Sequence, residues 1–344
     1  MRNSTCLQPS LATTVALPVI YSLLFPAGIF GNILAGWIFS KQAPPRRTQY
    51  VYLSNLVTAN LLVCSTMPLL ATYFARGYQW TYDSAVCRTA NHLGSFIMHV
   101  SMYVTIIILC SIALNQYATL KKISAAKHPQ AAKENFYRCV LKKFRQPEFA
   151  KCLCIVVWLT VLCITVAAII YNNVQINAVE ESHRCYNVTV EASKFTSMLA
   201  ACLATACFFV SFMTVLLSYY CLTRHLSKIQ KNTCIGEKHL IYGTVKRNIL
   251  VIQMILIVCF LPYHIFRPVF YVLLSGNDCP KLNYLVEIKN FLTCLAAAKS
   301  SLDPVIYLLL DKTFKRSLYD LFTKSIPEHH KEKADIFTEE TPDI

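Results

Sequence analysis

Seven long apolar runs, separated by polar or basic segments, constrain this chain more than any other feature. They lie near residues 15–39, 51–75, 88–117, 152–171, 197–223, 247–274 and 284–310. Each run is long enough for an α-helix to cross the ~30 Å hydrocarbon core of a bilayer. Only 15% of the residues are charged, whereas a soluble chain carries roughly a quarter. The sequence therefore predicts an all-α membrane protein, a bundle of seven transmembrane helices that we call spans one to seven.

The distribution of basic residues predicts how the bundle is oriented. Lysines and arginines concentrate in the connections after spans one, three and five, whereas the connection after span four carries Glu180 and Glu181. Because basic connections stay on the cytoplasmic side, we expect a multi-pass membrane protein with an extracellular N-terminal tail at residues 1–14 and a cytoplasmic C-terminus. Two glycosylation sequons, at Asn3 and Asn187, fall on the same predicted outer side.

The segments outside the membrane domain, residues 15–310, have simple predicted roles. Residues 311–323 place Phe314 and Leu318 at helical spacing opposite basic residues, which predicts an amphipathic helix on the inner membrane surface. Residues 324–344 are charged, and we expect a disordered cytoplasmic tail. The net charge of +15 is spread over the connections, so the lipid bilayer, not nucleic acid, is the expected partner. We find no catalytic constellation or metal-ligand pattern, and we expect no enzyme activity and no cofactor.

Span seven carries two charges inside an apolar helix. Lys299 and Asp303 are four residues apart and so share a face, and Tyr307 follows one turn later. An isolated charge at bilayer depth costs at least ~2.5 kcal/mol, so such groups usually face the bundle interior, pair with one another and mark function. A channel or transporter could use such charges for ion passage, but it would predict internal repeats, and we find none.

Four cysteines are predicted to face the oxidising outer side: Cys6, Cys87, Cys185 and Cys279. Four cysteines allow three pairings. We favour Cys87–Cys185 together with Cys6–Cys279, because spans one and seven should be neighbours in a closed bundle. Free thiols are the alternative.

Several motifs fall in the order and spacing of one family. Gly31-Asn32 lies in span one, Pro68 in span two, Trp158 in span four, Cys259–His264 in span six and Asp303–Tyr307 in span seven. With seven spans and an outer N-terminus, the chain resembles a rhodopsin-like (class A) G protein-coupled receptor, whose outer bridge Cys87 and Cys185 match. The resemblance implies an extracellular ligand, a heterotrimeric G protein as partner, and signalling by movement of spans six and seven at Pro262 and Pro304.

The ligand residues are predicted partly by periodicity and partly by the resemblance. One face of span six, which we call the stripe, presents Phe260, His264, Arg267 and Tyr271. This face and Lys289 in span seven resemble the nucleotide and lipid-mediator branch of the family, in which the positions of Arg267 and Lys289 contact anionic ligand groups. The resemblance thus implies an orphan receptor for an anionic small molecule or lipid. The alternative is that both basic side chains snorkel to the interface and bind nothing.

The deeper polar residues depart from the family pattern. The family usually has an aspartate where this chain has Asn60 and a small polar residue where it has Lys299, and these positions commonly help to hold sodium. We hypothesise that Lys299 stands in for sodium as a built-in counter-ion of Asp303, with Asn60 or Asn32 sharing the contact. A purely structural pair is the alternative. Phe260, Pro262 and Tyr307 match the family's switch positions.

At the inner end of span three, Asn115-Gln116-Tyr117 replaces the family's Asp-Arg-Tyr, whose arginine contacts the G protein. The resemblance implies that these three residues face the G protein. Gln116 is neutral and cannot make the charge-assisted bonds of an arginine. This departure supports an alternative function in which a receptor-fold protein couples weakly, constitutively or not at all to G proteins and acts as a scaffold or heteromer partner.

Overall fold

The computed structural model describes residues 8–42, 48–77, 84–125, 136–176, 195–230, 236–273, 279–310 and 312–324. Within these residues, seven helical segments are long and apolar enough to cross a membrane, which confirms the predicted seven-helix bundle. These segments are Ala12–Lys41, Thr48–Ala75, Phe96–Thr119, Pro147–Ala167, Ala201–Cys221, Lys246–Leu273 and Cys279–Leu308. We call outer the side of the bundle that carries the start of span one.

Most helices extend beyond the apolar runs that predict them. Span three is part of the helix Ser84–Ala125, span four of Pro147–Ile176, and span five of Phe195–Gln230. A helix of 42 residues is about 63 Å long, roughly twice the hydrocarbon thickness, so its ends project beyond the lipid. A further short helix, Phe136–Lys143, lies between spans three and four. The basic connection after span three, which the apolar runs place at residues 118–151, is therefore partly helical.

Burial differs strongly among the spans. In span three 67% of the most apolar stretch is buried inside the bundle, against 17% in span one and 22% in each of spans four and five. Residues of span three such as Val104, Ile108 and Ala113 belong to the main apolar cluster, together with residues of spans two, five and six. Span three is thus the centre of the bundle.

Span six is interrupted by a π-helical segment. Its first helix is Gly236–Ile255, the π-helix is Leu256–Phe260, and the outer helix is Leu261–Leu273. Pro262 follows the π-helix directly, and proline removes a backbone donor, which favours such local rearrangement. The distortion therefore lies where the sequence predicts the hinge of span six.

Spans one and seven approach closely at a glycine. A methyl group added to Gly31 would lie only 2.7 Å from Cγ of Pro304. Two polar bonds join the same spans: Asn32 donates to the carbonyl of Ser300, and Ser301 donates to the carbonyl of Leu24, both at 2.8 Å. Spans one and seven are therefore adjacent in the bundle, as predicted.

Residues 8–13, which we call the N-terminal strap, lie across the outer ends of spans one and seven. The backbone N–H of Gln8 donates to Oδ1 of Asn283 at 3.0 Å. One carboxylate oxygen of Glu287 accepts from the backbone N–H of Ser10 at 3.0 Å and from the Thr13 hydroxyl at 3.2 Å. Thr13 is fully buried, whereas Leu11 is 81% exposed, so the strap is held by these hydrogen bonds and is packed mainly at Thr13.

The helix Lys312–Lys324 follows span seven. Its Phe314 is buried and packs 5.6 Å from the ring of Phe39 in span one, measured between centroids. The ring of Tyr307 lies 5.4 Å from Phe39 and 6.1 Å from Phe314. This aromatic cluster fixes the short helix to the inner ends of spans one and seven.

Candidate functional site

A buried polar cluster joins spans one, two and seven around Asp303. Its carboxylate oxygen Oδ2 accepts from the Asn60 amide at 2.7 Å, from the Lys299 ammonium at 2.5 Å and from the Tyr307 hydroxyl at 3.4 Å. Asp303 is 2% exposed and Lys299 only 1% exposed. The two charges predicted from the sequence therefore pair deep inside the protein.

Asn60 is the bridge of this cluster. Its Nδ2 also donates to Oδ1 of Asn32 at 2.9 Å, while its Oδ1 accepts from the Lys299 ammonium at 3.2 Å. Asn32 in turn donates to the carbonyls of Gly28 and Ser300. Asn32 and Asn60 are both fully buried. The sequence left open which asparagine shares the contact with Lys299, and the structure places Asn60 against the ammonium and Asn32 behind it.

The arrangement explains how two charges persist at bilayer depth. A buried ion pair offsets the cost of desolvation only with good geometry and further hydrogen bonds. Here the carboxylate oxygen has three donors and the ammonium has two oxygen partners. The partners come from spans two and seven, so the pair also couples these spans.

The outer part of span six presents Arg267 to span three. Its Nη1 donates to the Tyr103 hydroxyl at 2.6 Å, and its guanidinium carbon lies 6.0 Å from the centre of the Tyr263 ring. The Tyr263 hydroxyl lies 3.1 Å from Nε2 of His99 in span three. Two hydrogen bonds therefore connect span six with span three at neighbouring turns, and Arg267 faces the bundle as the stripe on span six predicts.

Lys289 lies on the same side of the bundle, one turn further out. Its ammonium is 5.1 Å from the centre of the Phe270 ring, and Phe270 is three residues after Arg267 on span six. Tyr271 packs edge-on against Phe270 at 5.7 Å between centroids. Arg267 and the ammonium of Lys289 thus lie at adjacent turns along span six, with Lys289 reaching across from span seven.

His264 is completely buried between spans three, five and six. Its ring stacks on Phe208 with centroids 4.4 Å apart and an interplanar angle of 10°, and it lies 5.8 Å from the Tyr103 ring. Among the described residues, neither ring nitrogen has a hydrogen-bond partner. Of the two predicted switch residues in span six, Phe260 is 2% exposed and belongs to the main apolar cluster, whereas Pro262, on another face of the helix, is half-buried.

The inner end of span three is packed into the bundle. Asn115, Gln116 and Tyr117 are all buried, and the Thr119 hydroxyl donates to the Asn115 carbonyl at 2.8 Å. The side-chain oxygen of Gln116 has no partner in the part of the chain that is described. The three residues predicted to face a G protein are therefore covered in this conformation.

Several predicted sites fall outside the described residues. These are the sequons at Asn3 and Asn187 and the cysteines Cys6 and Cys185, while only the backbone of Cys87 is described. Cys279 is disulfide-bonded. The pairings Cys87–Cys185 and Cys6–Cys279 stay predictions.

The structure adds site residues that sequence reasoning missed. Tyr103 and His99 in span three, and Phe208 and Thr205 in span five, surround the predicted stripe of span six. Tyr103, Phe208 and Thr205 are uncharged residues of apolar spans, so no charge marked them. Two signals were present: His99 is an ionisable residue in an apolar span, and Pro268 lies four residues after His264 and leaves its carbonyl without a helical donor. The Thr205 hydroxyl fills that place at 3.3 Å.

Comparison with known proteins agrees with this architecture. Residues 31–307 match the family described as 7 transmembrane receptor (rhodopsin family). Probable G-protein coupled receptor 82 from Homo sapiens is 51% identical over 329 residues, which cover 95% of this chain and 98% of that protein. The Mus musculus protein of the same name is 50% identical over 94% of this chain and 99% of its own length. A purinoceptor from Xenopus laevis is 27% identical over 88% of this chain and 53% of that protein. The chain therefore belongs to the rhodopsin family of seven-transmembrane receptors, and it is a receptor that signals across a membrane and not an enzyme.

Proposed function

We propose that this receptor lies in the plasma membrane with its N-terminus outside and binds an extracellular ligand that carries an anionic group. The observation that carries the proposal is Arg267, whose guanidinium is held at the Tyr103 hydroxyl in the outer half of the bundle. Lys289 adds a second cation one turn further out. An arginine can bind a phosphate or carboxylate through two parallel hydrogen bonds, and a lysine adds a point charge. One relative is named a purinoceptor, which also fits a nucleotide-like ligand.

The path from this site to the inner face runs through spans six and seven. On the inner side of His264, span six contains Pro262 and then the π-helix Leu256–Phe260. Span seven contains Pro304 beside the Lys299–Asp303 pair. Proline removes a backbone hydrogen bond from a helix, so both spans can bend at these points when ligand binds. A heterotrimeric G protein is the proposed partner of the inner face.

A thermal-shift screen with two anionic classes tests the ligand proposal. Nucleoside diphosphates and lysophospholipids are added to the purified receptor in nanodiscs, and a ligand at 100 times its Kd should stabilise the fold by about 2.7 kcal/mol. Arg267→Gln should weaken that ligand roughly tenfold to a hundredfold, since a charged hydrogen bond contributes about 1.5–3 kcal/mol. Arg247→Gln, which removes an exposed cation at the inner end of the same span, is the matched control. The proposal is wrong if neither class stabilises the receptor, or if both variants bind like the wild type.

We further propose that Lys299 serves as the built-in counter-ion of Asp303, in place of a sodium ion. The support is that the ammonium lies between Asn60 Oδ1 and Asp303 Oδ2, the oxygens that a small cation would need. A second cation beside it would be repelled strongly at low dielectric. The competing interpretation, a structural pair with no part in switching, is separated from this one in the Discussion.

A second candidate function rests on Gln116. This neutral side chain is 8% exposed, and it stands where the family has an arginine. It supports a receptor that couples weakly, constitutively or not at all to G proteins and acts through heteromers or as a scaffold. G protein activation in cells separates the two functions when wild type and Gln116→Arg are compared at equal surface expression. Activation by the wild type that depends on a ligand and reaches the level of a well-coupled receptor would exclude the second function, whereas a gain only in Gln116→Arg would support it.

A further inference from the structure

The imidazole ring of His264 is buried without a hydrogen-bond partner among the described residues. It is 0% exposed, and neither ring nitrogen has a hydrogen-bond partner among the described residues. A buried polar group without a partner carries its full desolvation penalty. The ring is nevertheless held firmly, since it stacks on Phe208 at 4.4 Å. The stacking therefore fixes the position of the ring, while a new hydrogen bond to either nitrogen would offset its desolvation penalty.

The backbone of His264 is also fixed from span five. Pro268 cannot donate to the His264 carbonyl, and the Thr205 hydroxyl donates to it at 3.3 Å instead. With backbone and ring face both held by span five, the unsatisfied atoms are confined to the ring edge. Among the described residues, the other aromatic rings beside His264 belong to Tyr103 in span three and Tyr263 in span six.

Tyr103 in span three is the neighbour that can supply this partner. Its ring lies 5.8 Å from the His264 ring, and its hydroxyl accepts from Arg267 at 2.6 Å. Arg267 is three residues after His264 and lies on the same face of span six. The hydroxyl that holds Arg267 is thus carried by the ring that packs beside the unsatisfied imidazole.

We propose that His264 relays ligand binding by replacing Arg267 as the hydrogen-bond partner of the Tyr103 hydroxyl. An anionic ligand group draws the guanidinium away from Tyr103, and the released hydroxyl then bonds a ring nitrogen of His264. His264 is one turn from Phe260, where the π-helix ends, so the exchange changes the packing directly beside the hinge of span six. The proposal rests on the proposed function in taking Arg267 as the ligand contact, but the exchange itself needs only the loss of the Arg267–Tyr103 bond.

Melting temperatures of the purified receptor in nanodiscs, without ligand, test the exchange. His264→Phe keeps a ring on Phe208 and removes the unsatisfied nitrogens, and we expect its melting temperature to rise by about 2 °C or more. His264→Leu is the second variant, since it removes the same nitrogens should phenylalanine be too large. Arg267→Met removes the hydrogen bond to Tyr103. The change in melting temperature that it causes should differ by at least about 2 °C between the wild-type and His264→Phe backgrounds. Additive shifts, or no rise with either variant, overturn the proposal.

A spectroscopic measurement separates this exchange from a change in packing alone. In receptor labelled with ¹⁵N-histidine, the His264 signals are assigned by their loss in His264→Phe. Arg267→Met should move them to the position of a hydrogen-bonded imidazole, whereas Lys289→Met, which removes the neighbouring cation but leaves the Tyr103 bond, should not. Unchanged signals in Arg267→Met overturn the relay. Because this measurement uses no ligand, it tests the relay separately from the ligand proposal, which the thermal-shift screen tests.

Discussion

Removing the ammonium of Lys299 is the sharpest test of the buried pair. Lys299→Met keeps the apolar stem but leaves the Asp303 carboxylate, 2% exposed, with the Asn60 amide and the Tyr307 hydroxyl as its remaining donors among the described residues. Loss of one partner of a buried ion pair costs about 3–5 kcal/mol, because the other charge is left uncompensated. In a chain of this size we expect the melting temperature to fall by roughly 5–15 °C.

The double variant Lys299→Met/Asp303→Asn is the matched control. It removes both charges, and replacing a buried pair by uncharged groups of similar size is often close to neutral. We therefore expect it to melt well above Lys299→Met and near the wild type. If the single variant were as stable as the double variant, Lys299 would not compensate Asp303, and the electrostatic argument would fail.

Sodium distinguishes a built-in counter-ion from a structural pair. The melting temperature is followed as choline chloride is exchanged for sodium chloride at constant ionic strength. In Lys299→Met the oxygens of Asn60 and Asp303 are released, and sodium at 100 times its Kd should restore about 2.7 kcal/mol. The wild type should not respond, since its own ammonium fills the place. A clear sodium response of the wild type would refute the counter-ion hypothesis, and a variant insensitive to sodium would leave only the structural pair.

Two further predictions concern packing between spans. In a thermal-unfolding assay, Gly31→Ala should lower the stability by about 1–3 kcal/mol, because its methyl group would lie 2.7 Å from Pro304. Gly36→Ala is the control, since the atom nearest to its methyl group would be 3.4 Å away, and we expect it to be neutral or slightly stabilising in the same assay. The Trp158 indole donates to Asn55 at 3.1 Å, and a double-mutant cycle of Trp158→Phe and Asn55→Ala should give a coupling energy of about 0.6 kcal/mol; a coupling of zero would show that spans two and four are held by packing alone.

The fold was predictable because lipid leaves a chain few choices. In hydrocarbon every backbone group must be hydrogen-bonded within the protein, either inside a helix or between the strands of a closed barrel, and seven runs of about 20 or more apolar residues favour helices. Seven runs therefore give seven helices. The helix ends were less predictable, since Ser84–Ala125 continues past its apolar run into sequence whose polarity marks only the edge of the lipid.

The candidate sites were predictable where a charge interrupts an apolar helix. Lys299, Asp303 and Arg267 stand out for that reason, and the spacing of four residues indicated the Lys299–Asp303 pair before any contact was known. Tyr103 and Phe208 could not be found this way. They are aromatic residues in apolar spans, and only the relative rotation of the helices brings them against Arg267 and His264. Helix rotation depends on packing across the whole bundle, which no local pattern records.

The N-terminal strap has a consequence for the order in which the protein is made. Gln8 and Ser10 are separated from their partners Asn283 and Glu287 by 275 and 277 positions. Translation proceeds from the N-terminus, so the strap cannot form its hydrogen bonds to Asn283 and Glu287 until the seventh helix has left the ribosome. Its docking is therefore among the last steps of assembly, and protection of residues 8–13 from proteolysis marks receptor whose synthesis and membrane insertion are complete.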